Sequence, residues 1–173
     1  MNRQISLFIA IAVLFTAIGG YFGWKNLQPT KPVNVAVATL FSKTLPDAQK
    51  KPQALSQWQG KTLLVNFWAT WCPPCVAEMP ELVALQAEQA KNNLQIIGIG
   101  IDSAANIQQF SEKYKITYPL LVDGLNGSEL SRQFGNQAGG LPFTVLISAD
   151  GQVKKLYLGR LDMQQVRADL QSL

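Results

Sequence analysis

"VNFWATWCPPCVAEMPEL", residues 65–82, joins an apolar run to a helical pattern through Trp-Cys-Pro-Pro-Cys. It holds the only two cysteines, Cys72 and Cys75, of a 173-residue chain that has no histidine. "TLLVNFW" (62–68) is short, apolar and β-prone, as a buried strand requires. From about Pro73 to Lys91, Val76, Met79, Leu82, Val83 and Leu85 keep helical spacing. Pro80 is expected to kink that helix, because it lacks an N–H and crowds the preceding turn. The cysteines therefore fall where a strand ends and a helix begins. Pro73 occupies the first helical turn, where its missing N–H costs nothing.

Three readings of the pair compete. A disulfide across two residues closes a tiny loop and removes little entropy from the unfolded chain, so it makes a poor staple. A structural zinc needs four ligands, and two cysteines without histidine supply two. The missing histidine also removes Cys-His nucleophile pairs and a C-x-x-C-H haem site. A redox pair fits the junction better. A sulfur at a helix N-terminus faces the positive end of the dipole and free N–H groups, which favours thiolate. Cys72 is then the exposed nucleophile, and Cys75, one turn in, the shielded resolving thiol. Pro73 and Pro74 offer no N–H, so Cys75 carries the nearest backbone donor to Cys72 Sγ. Fewer donors mean a smaller fall in thiolate pKa and a more reducing couple.

Outward from this stretch, strands and helices alternate. "LQIIGIGID" (94–102) reads as a second strand, and Ser103 caps a helix through about Tyr114. "YPLLVD" (118–123) is a shorter strand, followed by a short helix over Ser128 to Phe134. "FTVLIS" (143–148) and "VKKLYLG" (153–159) are joined by Asp150-Gly151, a hairpin signal. Asp162 caps a last helix to about Leu170. The pattern predicts an α/β domain with a central mixed sheet flanked by helices on both faces.

The N-terminal segment differs. "ISLFIAIAVLFTAIGGYFGW" (5–24) is uncharged, and Arg3 precedes it. A helix of that length spans roughly 30 Å, a bilayer's hydrocarbon thickness. Tyr21 and Trp24 suit an interface, and a basic N-terminus held inside sends the rest of the chain outside. Residues 1–25 are therefore expected to form a transmembrane anchor, 26–38 with Pro29 and Pro32 a tether, and 39–173 the folded domain. A cleaved signal peptide is the rival, with Ala17-Ile18-Gly19 or Ala36-Val37-Ala38 as weak cleavage sites. Outside the cytoplasm a dithiol stays reduced only if electrons are supplied.

Three of the 15 basic residues, Arg3, Lys25 and Lys31, precede residue 39, leaving 12 against 11 acidic ones. A near-neutral body without a basic stripe lacks the footprint of a nucleic-acid binder.

The quoted stretch, together with "GGLPFTVLISADGQV" (139–153), resembles the TlpA/ResA-like branch of the thioredoxin superfamily. The likeness runs from roughly Leu40 to the C-terminus, and "LFSKTLP…LSQWQGKTLLVNFW" is similar to that branch's N-terminal extension. It implies a thioredoxin-like fold and protein-disulfide reduction through a redox-active Cys72–Cys75 disulfide, with no metal or other cofactor. Cys72 becomes the nucleophile, Cys75 the resolving thiol, and Pro142 a cis-proline facing them. The Leu141 backbone would receive an extended substrate segment beside Trp71, Pro73 and Pro74. Glu78 matches an acidic residue three positions after the second cysteine. As an i, i+3 neighbour of Cys75 it is placed to take that thiol's proton; a solvated glutamate early in a helix is the plainer reading. Where thioredoxin has a buried aspartate six residues before its first cysteine, this chain has Asn66. Trp68 and Trp71 match family aromatics, with core packing an equal account of Trp68. The implied partners are exported protein disulfides or apocytochrome c, and a transmembrane thiol reductase as electron donor. The implied location is a bacterial cytoplasmic membrane, with the domain facing the periplasm or cell exterior. A thiol oxidase or isomerase, a metallochaperone and a redox-inert binding module are the competing functions.

Overall fold

The computed structural model of the chain describes Gly19 and residues 33–89 and 91–173. Two compact units divide at Thr30, and the fold described is that of Lys31–Leu173. The expected anchor, apart from Gly19, and the first part of the tether lie outside the described residues. Among the described residues no helix is long and apolar enough to cross a membrane.

The second half of the expected tether is a correction. Val33–Ser42 forms helix α1, which buries Ala36, Val37 and Leu40 in the domain core. Those residues recur at helical spacing, so one face of the segment is apolar. Pro32, just ahead of it in sequence, does not oppose a helix start.

Strands β1 (Thr44–Pro46) and β2 (Pro52–Ala54) form a small antiparallel sheet, followed by a 3-10 turn over Leu55–Trp58. The main sheet comprises β3 (Thr62–Trp68), β4 (Leu94–Gly100), β5 (Leu120–Val122), β6 (Phe143–Ile147) and β7 (Val153–Leu158). Its order is β5-β4-β3-β6-β7. β4 runs parallel to both β3 and β5, whereas β6 runs antiparallel to β3 and β7. The remaining helices are α2 (Pro73–Gln89), α3 (Ala104–Tyr114), α4 (Leu125–Gln133) and α5 (Met163–Gln171). Ser103 and Asp162 cap α3 and α5 through their side chains, as the sequence predicts. α2 continues through Pro80 to Gln89, and α4 begins three residues ahead of its expected start.

Alternation along β3 sorts the core into two layers. Leu64 and Trp68 point to the layer filled by α2, α3 and α5, where Met79, Leu82, Ile107, Phe110 and Val166 pack. Leu63, Val65 and Phe67 point to the opposite layer, with Leu40 of α1 and Leu130 of α4. This is the mixed sheet with helices on both faces that the sequence predicts. Asn66 falls on the α2 side of β3, paired in register with Gly98 of β4 and Thr144 of β6. A polar position thus sits in the middle of an apolar face, directly beneath α2.

Candidate active site

β3 ends at Trp68, and residues 69–72 lead into α2. Cys72 and Cys75 form a disulfide at this N-terminus. Cys72 keeps 5% of its surface exposed and Cys75 none, so the first cysteine is the one that solvent reaches. Pro73 and Pro74 are exposed between them. The Cys75 N–H donates to Cys72 Sγ at 3.3 Å, whereas the Val76 N–H is taken by the Cys72 carbonyl at 3.1 Å. The helix end therefore presents one backbone donor to this sulfur among the described residues.

Trp71 is 66% exposed and stands beside the disulfide in sequence, while Trp68 is fully buried against Phe110. The two tryptophans divide the roles weighed for them: Trp68 is core and Trp71 is surface.

β6 brings the second motif to the same end of the sheet. Phe143 pairs with Phe67, so Leu141 and Pro142 arrive at the end of β3 that leads to the cysteines. The Leu141–Pro142 peptide is cis. Pro142 is buried, and Leu141 is half-buried against the cluster that contains both cysteines. Neither backbone group of Leu141 has a hydrogen-bond partner among the described residues. Asn136, which the sequence reading missed, holds this loop in place. Its Nδ2 donates to the Gly140 carbonyl at 2.9 Å and its Oδ1 accepts the Gly140 N–H at 3.1 Å.

Glu78 is fully buried rather than solvated. Its Oε1 accepts from Asn66 Nδ2 at 2.8 Å, and its Oε2 accepts the Leu161 N–H at 3.0 Å. Burial pushes its pKa above the ordinary carboxylate range. The two hydrogen bonds and the Arg160 charge pull it back only in part, and the Glu81 charge adds to the rise. Arg160 itself bridges to Glu81 at 2.9 Å. Asn66 also donates to Thr144 Oγ1 at 2.9 Å. Leu161 and Thr144 escaped the sequence reading: one acts through its backbone, the other through a strand register that only pairing reveals.

A disulfide at a helix N-terminus, with a buried carboxyl one turn further on, can open and close by exchange with another thiol pair. On this sheet that defines a thiol:disulfide oxidoreductase of thioredoxin-like fold. The chain belongs to the Redoxin family, whose profile matches residues 32–170.

It is 29% identical over 173 residues to the thiol-disulfide oxidoreductase ResA of Geobacillus thermodenitrificans, covering 99% of this chain and 97% of that one. The ResA-like resemblance thus holds along the whole chain. A putative thioredoxin from Neisseria meningitidis superposes with a TM-score of 0.64 at 28% identity, over 75% of this chain and 85% of its own. A secreted disulfide oxidoreductase of Mycobacterium tuberculosis superposes with a TM-score of 0.65 at 22% identity, over 78% and 98%, and supports the fold alone.

Proposed function

We propose that the protein is a membrane-anchored, extracytoplasmic reductase of protein disulfides. Cys72 thiolate attacks a substrate disulfide, forming a mixed disulfide and releasing the first substrate sulfur as thiolate. Cys75 passes its proton to Glu78 and attacks Cys72 Sγ, which releases the second substrate sulfur. The substrate gains two electrons and the chain is left with the Cys72–Cys75 disulfide. The couple is the disulfide itself, with no bound cofactor or metal. Leu141 and Pro142 receive the substrate backbone, with Trp71, Pro73 and Pro74 forming the surrounding surface.

The observation that carries the reducing direction is the single backbone N–H at Cys72 Sγ. A thiolate with few donors is less stabilised, so its disulfide is harder to reduce and its dithiol a better reductant. The uncharged segment over residues 5–24 would hold the domain at the outer face of a bacterial cytoplasmic membrane. A transmembrane thiol reductase would then restore the dithiol. The substrates in this reading are exported proteins with disulfides, apocytochrome c among them, as the TlpA/ResA-like resemblance of the two motifs implies.

Two measurements test this reading. A Cys75→Ala chain expressed in cells should accumulate mixed disulfides through Cys72 with exported proteins. An equilibrium redox titration should place the couple among reductants; a potential near that of a strong thiol oxidase refutes the direction.

A further inference from the structure

Both oxygens of Glu78 face hydrogen-bond donors: Asn66 Nδ2 at Oε1 and the Leu161 N–H at Oε2. That suits a carboxylate, which only accepts. A carboxylic acid must also place one O–H, and in a fully buried site an unplaced donor is costly. A proton on Oε2 would meet the Leu161 N–H, which can never accept. A proton on Oε1 would meet an amide, whose other end is an acceptor of nearly the same size.

We propose that Asn66 is a positioning residue that turns its carboxamide over when Glu78 gains a proton, so that one side chain serves both states of the acid. The proposal rests on the reading of Glu78 as the proton acceptor. With Glu78 charged, Nδ2 donates to Oε1. With Glu78 neutral, Oδ1 occupies that place and accepts the Oε1 proton.

Thr144 makes the turn possible. It stands opposite Asn66 in the β3–β6 register and accepts the second Nδ2 proton at 2.9 Å. A hydroxyl donates as readily as it accepts, so after the turn Thr144 donates to Oδ1. Two hydrogen bonds are exchanged for two. Asn66 Oδ1 has no partner among the described residues, and the turn replaces that unpaired acceptor with the two N–H donors of Nδ2, a cost that offsets part of the gain from placing the Oε1 proton. An aspartate at position 66 would lack the donor that the carboxylate uses. The asparagine is therefore the adaptable member of the site.

The turn belongs to the resolving step. The Cys75 S–H bond breaks as the O–H bond on Oε1 forms. The Cys75 thiolate then attacks Cys72 Sγ of the mixed disulfide, and the substrate sulfur leaves as thiolate to be protonated by water. Glu78 afterwards loses its proton to solvent and the amide turns back. Besides Cys75, the proton's source once the disulfide is opened, the ionisable groups that act on Glu78 are Glu81 of α2 and Arg160 of the loop after β7, with Tyr118 ahead of β5 feeling its charge. None of them hydrogen-bonds to Glu78 among the described residues. Arg160 and Glu81 shift the balance between the two states without serving either.

The test is NMR of the oxidised full chain, following the Asn66 side-chain amide and the Glu78 Cδ through a pH titration. The amide signals should move with the midpoint of Glu78. In Glu78→Gln they should stay at their acid-limb positions at every pH, because the carboxamide introduced there donates to Oδ1 as the acid does. A Glu78 that titrates beside an unmoved Asn66 amide overturns the proposal, as does an alkaline pattern in Glu78→Gln. The rate at which Cys75 resolves a preformed mixed disulfide gives a second readout. Asn66→Ala removes a partner from both states of Glu78, so the pH midpoint of that rate should rise by less than about one unit, whereas a fixed amide that serves the carboxylate alone predicts a larger rise; a rise of more than about one unit overturns the proposal. A Glu78→Gln chain that resolves the mixed disulfide with the wild-type pH profile removes the base reading itself. The amide's behaviour in the NMR titration distinguishes that failure from a failure of the turn.

Discussion

Glu78 Oε2 accepts the Leu161 N–H at 3.0 Å across 83 positions of sequence, tying the second turn of α2 to the loop after β7. The same loop carries Arg160, which bridges to Glu81 of α2. An ionisable group buried at such a junction makes the fold's stability depend on pH. Burial, the largest influence, raises the folded-state pKa of Glu78 above its unfolded value. Above the unfolded value the native chain holds the proton more tightly than the unfolded chain. The stabilisation is then full below the unfolded pKa and is lost as pH rises through the folded one. Glu78→Gln should lack this slope and gain stability relative to the wild type as pH climbs from acid to neutral. Urea unfolding of both oxidised proteins at several pH values measures it. A difference that shrinks with rising pH contradicts the assignment.

Asn136 clamps Gly140 by both ends of its amide, directly ahead of the cis Leu141–Pro142 peptide. Asn136→Ala removes both partners from a nearly buried position and should cost about 1–3 kcal/mol of stability. Reduction of a folded protein disulfide should fall more than reduction of a small aromatic disulfide, because only the former needs the loop in register. Parallel assays with the two substrates distinguish a docking defect from a general loss of active protein. Equal losses in the two assays count against the docking role.

How much of this was legible depended on what kind of information each residue carries. β3, β4 and β6 are apolar runs because the sheet is covered on both faces, so composition alone marks them. Cys72 and Cys75 carry chemistry in their residue type and spacing, whereas Pro142 was marked by the family resemblance of its motif. Glu78 was visible as a candidate, but its burial was not, since a glutamate early in a helix usually meets water. What decides its state is the Leu161 N–H, and a backbone group leaves no mark on a sequence. Thr144 became visible only once β6 was set against β3, a register fixed by long-range pairing. The first part of α1, up to Ala38, was read as the end of a tether because Pro29 and Pro32 precede it. Its buried face becomes apparent only against α4 and the far side of the sheet.

That helix yields a direct stability test. Leu40 is fully buried among Leu45, Leu55, Trp58 and Phe134 in the layer opposite the cysteines. Leu40→Ala should destabilise the chain by about 2–5 kcal/mol through lost burial and a residual cavity. Chemical denaturation reads this directly, and a cost near zero would show that α1 is dispensable to the domain.

Gly98 sits in β4 opposite Asn66, where Trp68 and Tyr118 close over the strand. A Cβ at this position would lie 2.6 Å from Leu120 Cδ2, 3.1 Å from Trp68 Nε1 and 3.4 Å from Tyr118 Cε2. The leucine methyl can swing aside, but the indole is fully buried against Phe110 and has little room to give. Gly98→Ala should therefore cost about 1–3 kcal/mol by overpacking, against the usual gain from replacing glycine in a strand. The added methyl also crowds Trp68, which packs in the same core layer as Cys75. The variant should accordingly change the near-ultraviolet tryptophan signal and the pH midpoint of mixed-disulfide resolution together. Leu120→Ala in the same chain removes the nearest clash while leaving Trp68 crowded. If the double variant restores stability but not the pH midpoint, the indole couples this strand to the active site. If it restores both, the effect of Gly98 is confined to packing against β5.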